Sequence, residues 1–158
     1  MHEFSPSTLT SEAHGVLKDV FGYDSFRAGQ AEVVETLLDG GHILAVMPTG
    51  SGKSLCFQIP ALLKGGLTIV VSPLVALMED QVSGLALAGV AADTINSSRL
   101  RHINVAAWKR AAAGETRLLY LAPERLMTER MLSALARLPV NLIAVDEAHC
   151  LSRWGPSF

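Results

Sequence analysis

Four short stretches constrain this chain more than anything else in it. They are Ile43 to Met47 (ILAVM), Leu67 to Val71 (LTIVV), Arg117 to Leu121 (RLLYL) and Leu142 to Val145 (LIAV). None alternates polar with apolar residues. Continuous runs rich in Val, Ile and Leu fit strands covered on both faces, the situation of a parallel sheet. Val90 to Ile95 is a further candidate strand. Between the runs the apolar period changes to 3.6. Leu74, Leu77, Met78, Val82 and Leu85 share one face, with Gly89 as a stop. Leu100, Ile103, Ala107 and Ala111 repeat the pattern and end at Gly114. Met127, Met131, Leu135 and Leu138 form another stripe, with Pro123 suited to its first turn and Pro139 ending it. Ala28 to Leu38 reads as a helix stopped by Gly40 and Gly41. Strands alternating with helices predict an α/β domain with a parallel sheet flanked by helices. Ligands of such sheets lie beyond the carboxyl ends of the strands. The residues just after each run are therefore the first place to look for chemistry.

Composition narrows the class. A chain of 158 residues, 49% hydrophobic and 18% charged, suits one domain spanning 1–158 and excludes disorder as its main state. Thirteen basic against fifteen acidic residues exclude a chain that coats nucleic acid by bulk charge, though not a local basic groove. Cys56 and Cys150 are far apart and form no C-x-x-C pair, so neither a disulfide framework nor a four-cysteine zinc site is expected. The polar start MHEFSPSTLTSE lacks the basic and apolar regions of a signal peptide. The best apolar run, Leu67 to Met78, is broken by Ser72 and Pro73 and is too short to span a bilayer. A soluble intracellular protein with no membrane partner is expected.

The chemistry begins after the first run, at Pro48-Thr49-Gly50-Ser51-Gly52-Lys53-Ser54. A strand, a glycine-rich turn ending in Gly-Lys-Ser and then a helix make a phosphate-binding loop. Glycines let the backbone fold around phosphates with its N–H groups inward, and the helix points its positive end at them. Lys53 reaches the β- and γ-phosphates, and Ser54 offers a hydroxyl to Mg²⁺. Met47 departs from the general pattern, which has Gly there.

After the fourth run stands Asp146-Glu147-Ala148-His149. An acid at the end of a buried strand is costly unless it meets a cation. Asp146 is placed to hold Mg²⁺ and Glu147 to orient or deprotonate an attacking water. A helix cap is the ordinary reading of such acids, and the neighbouring phosphate loop outweighs it. His149 is a candidate to couple the nucleotide site to its surroundings. The other four histidines read as ordinary surface or satisfied residues.

The loop and the Asp-Glu-Ala-His tetrad together resemble a superfamily 2 helicase, and the details resemble the RecQ family of DNA helicases. Leu17-Lys18, Phe21-Gly22-Tyr23, Phe26-Arg27 and Gln30 resemble that family's adenine-recognition motif. MPTGSGKS followed by LCFQIPAL resembles its motif I, in which Met at position 47 is tolerated. Ser72-Pro73-Leu74 with Leu77, Met78, Asp80 and Gln81 resembles motif Ia, and LLYLAPERL from Leu118 resembles motif Ib. DEAHCLSRWG resembles motif II running into an aromatic-rich loop. The resemblance covers about Leu17 to Phe158.

It implies a RecA-like P-loop NTPase lobe, the first of two, ending inside the aromatic-rich loop. Tyr23 would stack on adenine, with Arg27 and Gln30 reading its edge, since an amide donates and accepts at once. Ser72, Gln81 and Arg125 would contact a DNA strand through phosphate or sugar. Trp154 and Phe158 would sense single-stranded DNA by stacking. Pro156 and Ser157 stand where the family usually has His and then Asp after the Trp-Gly pair. The implied activity is ATP-dependent, 3′-to-5′ unwinding of DNA in repair and recombination, with ATP and Mg²⁺ as cofactors. A second RecA-like lobe with an arginine finger, a zinc-binding segment and a winged helix would complete the machine. The setting would be bacterial-type cytoplasm near the nucleoid, or otherwise intracellular. The 158 residues alone are expected to bind Mg-ATP, and single-stranded DNA weakly, without unwinding duplex DNA. The alternative is a nucleotide- or DNA-binding module that never hydrolyses ATP and acts through partners. A small P-loop kinase fits the tetrad and motif Ia badly. Arg99, Arg101, Lys109 and Arg110 form a basic helical face that reads as solvated.

Overall fold

The structure, a computed structural model, describes residues 6–48 and 52–149. The chain divides into two compact units, Met1–Gly65 and Gly66–Phe158.

The first unit is helical where it is regular: α1 (Pro6–Asp19), α2 (Gln30–Leu38) and α3 (Leu55–Lys64). Ala13 and Leu17, four apart and so on one face of α1, meet Val34 of α2 and Leu55 and Ile59 of α3 in a core. Phe21, Phe26, Leu38 and Leu63 cover its margin. The polar N-terminal residues give no warning of α1, whose buried side chains among those described are Ala13 and Leu17. Lys64 Nζ donates to the Leu37 carbonyl at 3.0 Å, joining the ends of α2 and α3. Such a contact suits a helix terminus, where carbonyls lack intrahelical donors.

One expectation fails in this unit. Ile43 to Met47 is not a strand, and Leu44 and Val46 are 82% and 91% exposed. A strand requires a hydrogen-bonded neighbour for its backbone groups. No strand among the described residues pairs with this run.

The second unit is built on a sheet of β1 (Leu67–Val71), β2 (Ala92–Ile95), β3 (Leu118–Leu121) and β4 (Val140–Val145). All pairings are parallel, in the order β2-β3-β1-β4. The crossovers are α4 (Val75–Leu87), α5 (Arg101–Ala112) and the pair α6 (Pro123–Leu126) and α7 (Glu129–Leu135). Ile69, Val71, Leu119, Leu121 and Ile95 lie in one core with Ala107 and Ala111 of α5 and Leu135 of α7. β1 and β3 are buried along their whole length, as continuous apolar runs predict.

Two details differ from expectation. β4 is not covered on both faces: its exposure alternates, and Ile143 and Val145 are 60% and 46% exposed. Among the described residues it has a single neighbour, β1, and so stands at an edge. The stripe from Met127 to Leu138 makes two short helical pieces with Pro123 rather than one helix. The Thr128 hydroxyl donates to the Arg125 carbonyl at 3.0 Å and accepts from Met131 N–H at 3.2 Å, ending α6 and starting α7. Gly66 enters β1 at φ 65°, and a Cβ there would collide with the Pro139 carbonyl and the Asn141 side chain. Only glycine fits where the backbones of β1 and β4 converge.

Candidate functional site

The sheet's register defines the site. Ile95, Leu121, Val71 and Val145 are hydrogen-bond neighbours across the four strands. The next residue on each strand is therefore Asn96, Ala122, Ser72 or Asp146, one row along the carboxyl edge. This is where parallel-sheet proteins place ligands.

Asp146 is 8% exposed, and its N–H donates to the Val71 carbonyl at 2.8 Å, continuing the ladder. Its Oδ1 accepts the Glu147 N–H at 3.0 Å. Its Oδ2 has no hydrogen-bond partner among the described residues. A buried carboxylate with no cationic partner is what a cation site requires. Glu147 follows at φ 55°, the single non-glycine residue with positive φ among those described. That left-handed geometry costs about 1–3 kcal/mol for such a residue and is concentrated at functional sites. Its carboxylate lies 3.3 Å from His149 Nε2, with side-chain exposures of 18% and 69% respectively. Base candidate and coupling candidate thus touch.

The phosphate-loop residues lie in the first unit. Thr49, Gly50 and Ser51 lie outside the described residues. Gly52 has φ 75°, and a Cβ there would meet Gln30 Nε2 at 2.6 Å. Gln30, 2% exposed, donates from Nε2 to the Gly52 carbonyl at 2.9 Å and accepts the Arg27 N–H at Oε1, 2.7 Å. One side-chain amide thereby ties the Arg27 turn to the phosphate loop. Ser54 caps α3 through its carbonyl, which accepts the Gln58 N–H at 3.0 Å. Lys53 and Ser54 are both partly exposed. Met47 packs its sulfur 3.9 Å from that of Cys56. Burial pushes the Cys56 thiol up, so it is a packing residue. Tyr23 is 49% exposed, and its N–H is held by the Leu17 carbonyl at 3.1 Å. Gly22 before it, at φ 76°, makes the turn that presents the ring.

The other sequence candidates are in the second unit. Ser72 is 1% exposed, and its hydroxyl accepts the Leu74 N–H at 3.4 Å, at the start of α4. Gln81, on α4, has a buried Oε1 without a partner among the described residues. Arg125 is in α6, partly exposed. Trp154 and Phe158 lie outside the described residues, as do Cys150, Pro156 and Ser157.

Sequence reasoning missed Asn96. It is fully buried, and its Nδ2 donates to Glu79 Oε1 at 3.1 Å and Thr94 Oγ1 at 3.2 Å. Its Oδ1 accepts the Ser98 N–H at 3.0 Å. Asn104 Nδ2 donates to the Asn96 carbonyl at 2.9 Å, and Arg99 Nε donates to Glu79 Oε1 at 2.8 Å. The network locks the β2–α5 turn to α4. A signal was present: Asn96 directly follows Val90 to Ile95, as Ser72 and Asp146 follow their runs.

A parallel sheet with an acid at a strand end, in a chain that also carries a Gly-Lys-Ser sequence at 52–54, fits a lobe of the helicase kind. The comparisons agree. Residues 27–158 match the DEAD/DEAH box helicase family, and the chain belongs to that family. It is 49% identical over 146 residues to the ATP-dependent DNA helicase RecQ of Haemophilus influenzae, which covers 92% of this chain and 24% of that protein. It is 43% identical to the protein of the same name from Bacillus subtilis, over 95% of this chain and 26% of the relative. The chain thus spans about a quarter of the length of the curated relatives it matches. A crystal structure of a hypothetical ATP-dependent RNA helicase from Sulfolobus tokodaii shares the fold at TM-score 0.71 and 20% identity, over 92% of this chain and 43% of that one. No helix among the described residues is long and apolar enough to cross a membrane.

Proposed function

We propose that the chain is the first, nucleotide-binding motor lobe of an ATP-dependent DNA helicase of RecQ type. The observation that carries the reading is the buried Asp146 at the end of β4, with one carboxylate oxygen unengaged, followed by Glu147 held at positive φ. The donor set suits a hard divalent cation: a carboxylate and a serine hydroxyl are oxygen ligands of the kind Mg²⁺ takes. Asp146 and Ser54 would hold it, and Mg²⁺ there would neutralise charge on the nucleotide phosphates. Lys53 binds the β- and γ-phosphates as a point charge. Glu147 positions the attacking water and accepts its proton, and His149 at 3.3 Å links that carboxylate to groups outside the site.

Tyr23 stacks on adenine beside Arg27. Gln30 reads adenine while joining Arg27 to Gly52, so base recognition and loop geometry are set by one side chain. Thr49, Gly50, Ser51 and Gly52 line the phosphates. Ser72, Gln81 and Arg125, with Trp154 and Phe158, contact single-stranded DNA. Residues 1–158 act as one lobe, in an intracellular protein that unwinds 3′ to 5′ during repair and recombination. A second lobe supplies an arginine finger, a contribution of about 10³ to 10⁵ in rate. Without it the chain binds Mg-ATP, holds DNA weakly and does not unwind.

Titration calorimetry of Lys53→Ala with Mg-ATP tests the site. Loss of binding with an unchanged circular dichroism spectrum is the expected result, and undiminished binding overturns the assignment. Adding a second lobe in trans should restore DNA-stimulated hydrolysis. Persistent inactivity would favour a module that binds nucleotide without turning it over.

A further inference from the structure

The basic helical face of the sequence does not behave as one surface. Arg99 is paired with Glu79, and Arg110 donates from Nε to Asp93 Oδ2 at 2.9 Å. Both guanidinium groups are spent on the fold. Arg101 has no ion pair among the described residues, and neither do Arg125 and Arg130. These three line a groove of about 880 Å³ between α5 and the α6–α7 pair. The groove opens at the carboxyl ends of β2 and β3, where Ile95 and Ala122 form part of its lining.

Its floor is apolar. Val105 and Trp108 of α5 face Met131 and Ala134 of α7 across it. Trp108 and Met131 also rest on the core, which holds them in place. The β2–α5 lip is fixed by the Asn96 network, so the groove is formed before anything binds. Among the described residues Glu124 is the one acidic group in the lining, against three arginines without an ion pair. Trp, Met and Arg are the residues by which protein interfaces differ from ordinary surface. A pit of this size falls within the roughly 300–1,000 Å³ range of ligand-binding clefts.

We propose that this groove docks an acidic, amphipathic segment of a partner protein. Apolar side chains on one face of the segment fill the floor. Carboxylates beside them pair with Arg101, Arg125 and Arg130, whose planar forks suit carboxylates. A nucleic-acid strand fits less well, because a phosphate backbone cannot use an apolar floor and Trp108 is the one aromatic ring among the described residues that line it. Arg125 belongs to both this groove and the proposed DNA contacts, so a docked segment lowers the chain's hold on DNA.

The probe is a fluorescein-labelled helical peptide of about 16 residues made of Leu, Phe, Asp and Glu, long enough to match the exposed length of α5. Its apolar residues recur at i, i+3, i+4 and i+7. An isomer of equal composition has them scattered. Anisotropy titration against the whole 158-residue chain should give saturable binding to the first peptide, about tenfold tighter than to the isomer. The double variant Arg101→Glu/Arg130→Glu should weaken it about tenfold, and Met131→Glu about fivefold, with Lys109→Glu within twofold. Mg-ATP affinity, measured separately, should stay within twofold in all of them, so failure here is distinct from failure of the nucleotide site. Equal binding of both peptides overturns the proposal, as does no saturable binding up to about 1 mM. An oligothymidylate that binds the chain and loses about tenfold in the double variant, while the isomer competes as well as the parent, assigns the groove to nucleic acid instead and also overturns it.

Discussion

Two apolar runs of nearly equal composition meet different fates. Ile43 to Met47 leads into the phosphate loop, and Val140–Val145 leads into the Asp-Glu-Ala-His tetrad. Both sequences promise a buried strand ending in chemistry. Val140–Val145 does form a strand, pairing with β1 from Leu67 to Val71, though exposed at alternate positions rather than buried. Ile43 to Met47 has no such neighbour among the described residues and stays irregular, with Leu44 and Val46 in solvent. A strand is a property of pairing, and composition supplies only the capacity for it.

Hydrogen exchange gives the largest contrast by which to break this comparison. Amides of Ile69 to Val71 lie inside a parallel ladder between two strands. They should exchange slower than free peptides by roughly three orders of magnitude or more, while Leu44 to Val46 should exchange within about tenfold of free peptides. Equal protection in both segments would mean that the first run does pair.

Side-chain truncation should follow the same division. Leu119 is fully buried in the core shared by β1, β3, α5 and α7. Leu119→Ala should cost about 2–5 kcal/mol in urea denaturation, by lost transfer energy and a residual cavity. Leu44→Ala and Ile143→Ala remove exposed surface and should each cost under about 0.5 kcal/mol. A large loss at Leu44 would show that the first run is covered in solution.

Much of the second unit is legible in the sequence. β1, β3, α4 and α5 lie within a residue or two of the apolar runs and stripes that announced them, because each buries a continuous or 3.6-periodic apolar set. The strand-end rule located Asp146 and Ser72. Three things were illegible for physical reasons. The edge position of β4 depends on which strands are neighbours, which no local pattern states. The break at Thr128 depends on a hydroxyl choosing a backbone partner over solvent. The division of the basic face depends on where Glu79 and Asp93 lie in space, 20 and 17 residues from their arginines in sequence.

The buried network sharpens the comparison from the other side, since it shows what makes a turn at the sheet edge rigid. Asn96→Ala removes one amide and strands the groups of Glu79, Thr94 and Ser98 that it served. A loss of about 1–3 kcal/mol is expected, the cost of buried polar groups left unpaired. Gln30→Ala is the equivalent test in the first unit, freeing the Gly52 carbonyl and the Arg27 N–H. It should cost about 1 kcal/mol of stability, and weaken ATP binding more than it weakens the fold.

The smallest effect is a pH dependence. Arg99, hydrogen-bonded to Glu79, holds that carboxyl below its ordinary value of 4.5, with help from Asn96 and against the effect of burial. A carboxyl whose folded value is depressed binds fewer protons folded than unfolded. Its contribution to stability is therefore complete above the unfolded value near 4.5 and is lost as pH falls through the lower folded value. Glu79→Gln should flatten the decline of stability below about pH 4.5 and leave the slope at neutral pH unchanged. The side chains are partly exposed, 24% for Arg99 and 34% for Glu79, so added salt should shrink the difference. Urea midpoints taken at pH 7 and through the acid range, in low and high salt, measure it. A variant that kept the wild-type acid slope would show that the pair orders the β2–α5 turn without its charge adding to stability.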